Sequence, residues 1–147
     1  MSKLRCGLPL VMAAILVVPS CGYGEKTAKV SVADVVGEWA EPGGASFALS
    51  DDRTFKASGL KADFFADSQC PPGKVSGSWG FWVDKSDALS VVSEKAASGS
   101  WIGLSFNGVA QGDCNIDLAA VDGGRRLCAS IDPDNPCDFD AKFSREP

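Results

Sequence analysis

Histidine is missing from all 147 residues. Its absence removes Ser-His-Asp triads, imidazole metal sites and histidine pH switches, and with them most familiar hydrolase chemistry. No Cys-x-x-Cys pair occurs, so the cysteines lack the spacing of a zinc site. Basic residues form no stripe interleaved with aromatics, which excludes nucleic acid as a partner. The apolar run near the amino terminus, Cys6 to Pro19, has fourteen residues without a charge and is interrupted by Pro9 and Pro19. A membrane-spanning helix needs about 20 apolar residues and a continuous amide ladder. Internal repeats and low-complexity segments are also missing. What remains is 45% hydrophobic, 22% charged and 9% aromatic, enough for one ordinary globular domain and little more. Sixteen glycines and eight prolines among many short apolar runs favour turn-rich β structure.

The amino terminus carries an address. Lys3 and Arg5 form a basic head, an uncharged apolar stretch follows, and Val18, Pro19, Ser20 and Cys21 close it, the pattern of an export signal. Val18, Ser20 and Cys21 resemble the lipobox of bacterial lipoprotein precursors: an aliphatic residue three places before an obligatory cysteine and a small one immediately before it. Pro19 stands where a small or aliphatic residue is usual. The resemblance implies a signal peptide over residues 1–20 and a thioether-linked diacylglycerol on Cys21, with palmitate-like chains that each add about 0.8 kcal/mol of anchoring per buried methylene. An ordinary secreted protein cut at the same bond is the alternative.

Cysteine parity bears on that choice. Beyond the signal stand Cys21, Cys70, Cys114, Cys128 and Cys137, an odd number. With Cys21 acylated, the other four suffice for two bridges in an oxidising compartment. The signal's two basic residues leave with it, so 12 basic residues face 19 acidic ones, a net charge of −7. Such a surface repels nucleic acid and anionic headgroups. Residues 21–33 are small and charged and read as a flexible tether holding Tyr23, the only tyrosine.

From Asp34 to the end, residues 34–147, apolar residues recur with period two between Gly, Asp, Ser and Pro. Nine strands are expected, near 35–40, 45–50, 54–60, 75–84, 88–93, 100–107, 114–121, 125–131 and 138–145. Phe47 with Leu49, Trp79 with Phe81 and Val83, Ile102 with Leu104 and Phe106, and Phe139 with Phe143 form faces that a core would bury. Trp82 and Trp101 fall on the opposite faces of their strands. Leu60 to Ala66 reads as a short helix. Strands of this length and spacing build a sandwich or a barrel. Nine strands cannot close an all-antiparallel barrel, so either one segment lies outside it or the barrel stays open.

Val36, Gly37, Glu38 and Trp39 resemble the Gly-x-Trp opening of lipocalin-like barrels. That resemblance implies an all-β, small antiparallel barrel in which Trp39 plugs one end and a basic residue of the last strand, here Arg145, lies across it. A cation over an indole contributes about 0.5–2 kcal/mol. The wider pattern is similar to small bacterial lipoproteins that join this opening to an Asp-Asp/Gly-x-Thr-Phe hairpin, a Ser-Gly-x-x-x-Trp or Gly-x-Trp strand, and a late Asp-Pro-Asp with a Phe-x-Arg end. Here these are Asp51 to Phe55, Ser76 to Trp82, Asp132 to Asp134 and Phe143 to Arg145. It implies a shared scaffold and anchor, not an activity.

If Gly123 and Gly124 form a two-residue hairpin loop, facing residue numbers sum to 247. Cys114 then falls opposite Pro133 and near Cys137, while Cys128 points to the other face. The preferred pairing is Cys114 with Cys137 and Cys70 with Cys128, each bridge contributing roughly 2–4 kcal/mol. Asp132, Asp134, Asp138 and Asp140 offer carboxylate oxygens enough for calcium, but Pro133 and Pro136 make a polar turn closed by Cys137 the simpler reading. No residue set reads as catalytic, and no cofactor or metal is expected. The expectation is a lipid-anchored protein at the extracytoplasmic face of a cell membrane that binds a small apolar ligand or an envelope protein. An envelope structural lipoprotein without ligand is the alternative, and a carboxylate-dependent hydrolase a more distant one.

Overall fold

Short alternating strands separated by Gly- and Asp-rich turns leave each strand with one apolar face to bury. The computed structural model of the protein, which describes residues 25–60, 70–84, 90–110 and 112–147, shows how they bury it. The elements are β1 (Val30–Ser31), α1 (Val32–Val35), β2 (Gly37–Ala40), β3 (Ser46–Leu49), β4 (Thr54–Leu60) and β5 (Gly73–Asp84). They continue as β6 (Ser90–Ser93), β7 (Ser98–Gly99), β8 (Trp101–Phe106), β9 (Asp117–Val121), β10 (Arg126–Ser130) and β11 (Lys142–Arg145). Strands β2, β3, β4, β5, β8, β9, β10 and β11 pair antiparallel in that order, and β11 pairs back with β2 to close an eight-stranded barrel.

Each of the nine expected segments contains a strand, although the first starts only at Gly37, after α1, and the last only at Lys142, after a turn. The parity difficulty resolves because β6 stands outside the ring: it pairs only with the far half of β5, from Phe81 opposite Ser93 to Asp84 opposite Ser90. At twelve residues β5 is long enough to serve twice, its first part in the barrel and its end in this overhanging hairpin. Leu60, expected to start a helix, ends β4, and the rest of that expected helix lies outside the described residues. Among the described residues no helix is long and apolar enough to cross a membrane.

The inward faces fill the barrel. Trp39, Trp79, Phe47, Phe55, Phe81 and Phe143 are each under 2% exposed or at that value. Their rings meet edge to face: Phe47 on Phe143 at 5.0 Å, Phe55 on Phe106 at 5.2 Å and Trp79 on Phe81 at 5.7 Å between centroids. Such pairs add about 0.5–1.5 kcal/mol beyond the burial itself. Ile102, Leu118 and Leu127 complete the packing.

The stretch read as a tether is ordered from Glu25 onward. Strand β9 outruns its neighbour β8, whose ladder with it ends at Trp101 opposite Ala119. Thr27 and Ala28 take up the free edge, Thr27 bridging Val121 and the Ala28 amide donating to the Ala120 carbonyl at 2.8 Å. Glu25 pairs with Lys142, and β1 pairs with β7 through Val30 opposite Gly99. The small, charged composition of this arm hid its β-branched residues Thr27, Val30 and Val32, which suit an extended edge.

Two disulfides form, with pairings that correct the expected ones: Cys70 with Cys114, and Cys128 with Cys137. The hairpin register itself is as expected, since Val121 faces Arg126 and Leu127 faces Ala120. That ladder stops at Asp117 opposite Ser130, so it cannot be extended to Cys114 and Pro133. The Ser130 hydroxyl donates to the Asp132 and Asn135 carbonyls, curling the chain back over the wall so that Cys137 meets the outward-facing Cys128. Cys114 belongs to the inner core with Cys70, on the other side of the wall. The pair of bridges accords with an oxidising, extracytoplasmic environment.

Candidate functional site

One end of the barrel is built by the residues that the Gly-x-Trp resemblance singled out. Trp39, 1% exposed, donates its indole N–H to the Val35 carbonyl at 2.8 Å. Arg145 faces it across the β2–β11 ladder, and its guanidinium carbon stands 5.5 Å from the indole centroid. The same guanidinium donates to the Val36 carbonyl and, at 3.4 Å, to the Ala33 carbonyl. Gly37 makes room for it: a Cβ there would sit 3.2 Å from Arg145 Nε, and its φ of +142° disfavours any side chain. Helix α1 is tied down next to them by Asp34, which accepts from the Ser31 amide at 2.8 Å and hydroxyl at 2.6 Å. These bonds hold the Asp34 carboxyl below the usual carboxylate range.

A second stack, not anticipated from the sequence, closes the same end. The β3–β4 turn lies here because Leu49 pairs with Gly37. From it Arg53 reaches over Trp79, 4.4 Å from the ring centroid, and toward Phe81 at 5.6 Å. Its Nη2 donates to the Ala96 carbonyl at 2.7 Å, and Trp79 donates to the Ser50 carbonyl at 3.0 Å. Arg53 takes a φ of +68°, which a turn grants at some strain. The only sequence trace of this stack is an arginine directly after the Asp51-Asp52 turn.

The outer wall is less settled. Along β9 and the residue before it the inward set is Ile116, Leu118 and Ala120, leaving Asp117, Ala119 and Val121 outside. Ala119, Val121 and Cys128 are fully buried there under Trp101 and Cys137. Beside this patch lies a hollow of about 430 Å³ bordered by Trp82, Val92, Gly103, Val109, Asn115 and Asp117. Gly103 is its floor: it faces Asp117 across the β8–β9 ladder, and a Cβ on it would collide with the Val92 side chain and stand 3.1 Å from Trp82 Nε1. Asp117 makes no ion pair among the described residues, and burial pushes its carboxyl up to about 6 from 3.8. The Trp82 N–H is near enough to oppose that rise. Yet this buried indole nitrogen has no protein acceptor in hydrogen-bonding geometry. Trp82 and Val92 also border an adjoining hollow of about 340 Å³ that contains Glu94.

A larger, shallower hollow of about 860 Å³ runs over the outer face of β2 to β5. Its floor is Ala40, Ser46, Ala48 and Ser58, with Glu38 on the β2 side and Lys56 and Lys74 on the other. Val92, at 38% exposed, and Ile131, at 49%, are the large apolar side chains left open to solvent among the described residues. Cys21 lies outside the described residues. The Asp132–Asp140 segment does not gather into a metal site: among the described residues no group of three or more His, Cys, Asp or Glu is placed to hold one. Asp132 instead accepts from the Asp134 amide at 2.9 Å, and Asp138 from the Ile131 amide at 3.3 Å, as in a polar turn. Asp117 escaped the sequence reading because one acid in a strand reads as an outward, solvated residue. The signal was the apolar run from Leu118 to Val121, which needs cover on both faces of the wall. No protein-family model, curated protein or solved structure matches this chain.

Proposed function

We propose that the protein is a lipid-anchored, extracytoplasmic recognition barrel without catalytic activity, tethered through Cys21 and binding a small ligand on its outer wall. The observation that carries the binding half is the contrast between a barrel interior packed with aromatic rings and an outer hollow holding a half-buried carboxyl that no described residue pairs with. A lipocalin-like ancestry fits the closed eight-stranded ring and the Trp39–Arg145 stack at its end. The anchor half rests on Val18, Ser20 and Cys21 and on four remaining cysteines that pair among themselves. Glu25 is already fixed on the barrel by Lys142. A diacylated Cys21, four residues earlier, would therefore hold the domain within roughly 14 Å of the lipid, at about 3.3–3.6 Å per extended residue.

A protein partner is the second reading, favoured by the small-residue floor and two-signed rim of the β2–β5 hollow. Native mass spectrometry of the detergent-extracted protein tests the anchor. A chain beginning at Cys21 with a diacylglycerol mass and two intact bridges is expected. A full-length cytosolic chain with all thiols reduced overturns the proposal.

A further inference from the structure

The hollow beside β8 and β9 has a chemistry of its own. Among the described residues Asp117 is the one charged side chain around it, and none of the lysines or arginines described borders it or the adjoining hollow that holds Glu94. Across the ladders Asp117 faces Gly103 and Ser130, and Trp82, Val92 and Asn115 complete its surroundings. None of these carries a charge. Ser130 is fully buried and its hydroxyl is committed to Asp132 and Asn135, so it offers the carboxyl little. A carboxylate half out of water with no cation among the described residues is costly unless something completes it. On the other side of the same glycine floor the Trp82 N–H is buried; it is near enough to Asp117 to favour the charged carboxylate, but it makes no hydrogen bond of good geometry to it. Between them the walls are Val92, Val109 and Ala110, and the space is within the range of small-ligand sites.

An acceptor of charge −1, a neighbouring unused donor and aliphatic walls together define a complementary molecule. We infer that this hollow binds a small primary ammonium with an aliphatic body and an oxygen near the nitrogen, the ammonium on Asp117, the oxygen on the Trp82 N–H and the body against Val92 and Val109. A bare inorganic cation would leave the indole and the valines unused, and an anion would meet two acids. The net charge of −7 beyond the signal also raises the local concentration of cations. This inference rests on the proposed outer-wall binding role and names its ligand class.

Leucinamide has all three features, and its N-acetyl derivative lacks only the charge. Calorimetric titration of the full chain in detergent at pH 7.5 should show one site for leucinamide and at least tenfold weaker binding of N-acetyl-leucinamide. Asp117→Asn should weaken leucinamide at least tenfold, and Trp82→Phe severalfold, with unchanged thermal melting cooperativity. Val92→Lys, at a position 38% exposed, should abolish binding by placing a fixed ammonium over Asp117, with its melting temperature measured to show that the variant is folded. Equal affinity for the acetylated probe, or full affinity in Asp117→Asn or Val92→Lys, overturns the inference, as does no binding of leucinamide at millimolar concentration. These outcomes are independent of the anchor: binding without a lipid mass on Cys21 would sink the anchoring proposal alone, and a lipid mass without binding would sink this inference alone.

Discussion

Trp39 and Trp82 sit on the same barrel and live under opposite conditions. Trp39 is sealed, its N–H bonded to Val35 and its face covered by Arg145. Trp79 repeats the arrangement with Ser50 and Arg53. Trp82 is only partly buried, its N–H has no protein acceptor, and its charged neighbour is a carboxylate that burial has made reluctant to ionise. Where each polar atom of an aromatic is satisfied, the side chain is explained by folding. Where a donor and an acceptor meet only in poor geometry beside an apolar wall, folding leaves part of their chemistry unmet, and that is what a ligand can use.

The sharpest cut through this comparison is truncation of each tryptophan. Trp39→Ala should destabilise the fold by about 3–5 kcal/mol, through lost burial, the lost N–H bond and an unsupported Arg145. Trp82→Ala should cost less than about 1 kcal/mol, because it also removes an unsatisfied buried donor. Urea unfolding of the two variants checks this, and equal losses would erase the distinction between plug and site. The two bridges separate inside from outside in the same way. Cys70 and Cys114 close a loop of 44 residues at the inner core, Cys128 and Cys137 one of nine over the outer wall. Loop-closure entropy gives the first about 4 kcal/mol and the second about 2.6 kcal/mol. Paired Cys→Ser variants, melted in parallel, should therefore rank in that order.

Asp117 gives the comparison a pH axis. Its carboxyl titrates near 3.8 when free and about 6 in the folded protein, so the fold binds that proton more tightly than the unfolded chain does. Its contribution is most favourable below about pH 4, is lost as pH rises toward about 6, and is flat above. Asp117→Asn removes the penalty and should stabilise the unliganded protein at pH 7 by about 1–3 kcal/mol while weakening the ammonium probe. Denaturation midpoints at pH 4.5 and 7 should move closer together in the variant than in the wild type. A variant that is less stable at pH 7 would mean that Asp117 supports the wall structurally.

Strand periodicity made the barrel legible, and it did so because each inward residue is apolar for one reason, burial. Phe47, Trp79 and Ile102 announced their faces directly. The outer wall was harder to read because two segments distant in sequence cover it: the arm from Glu25 to Ala28, and the Asp132–Asp140 turn that carries Cys137 back to Cys128. Hairpin register was readable from Gly123 and Gly124, yet register describes a ladder only while the ladder lasts, and this one ends before either Cys114 or Pro133. Arg145 could be placed from strand parity and the Gly-x-Trp resemblance. Arg53 could not, since nothing local to a turn says which ring it will cover.

The smallest expected effect tests whether the plug is one unit. Arg145 is exposed, and it is held by the Trp39 face, two carbonyls of the α1 region and the bare Cα of Gly37. Arg145→Lys keeps the charge but loses the flat fork that can stack and donate together, at a cost of about 0.5–1.5 kcal/mol. Gly37→Ala adds a methyl 3.2 Å from Arg145 Nε at a φ of +142°, so it carries both backbone strain and a collision. Lysine's narrower ammonium should relieve the collision and leave the strain. In a double-mutant cycle Gly37→Ala should therefore cost less in the Arg145→Lys background than in the wild type, with a coupling of about 0.5 kcal/mol or more. Additive losses would mean that Gly37 serves only its own backbone, and that Arg145 covers Trp39 without depending on the glycine beneath it.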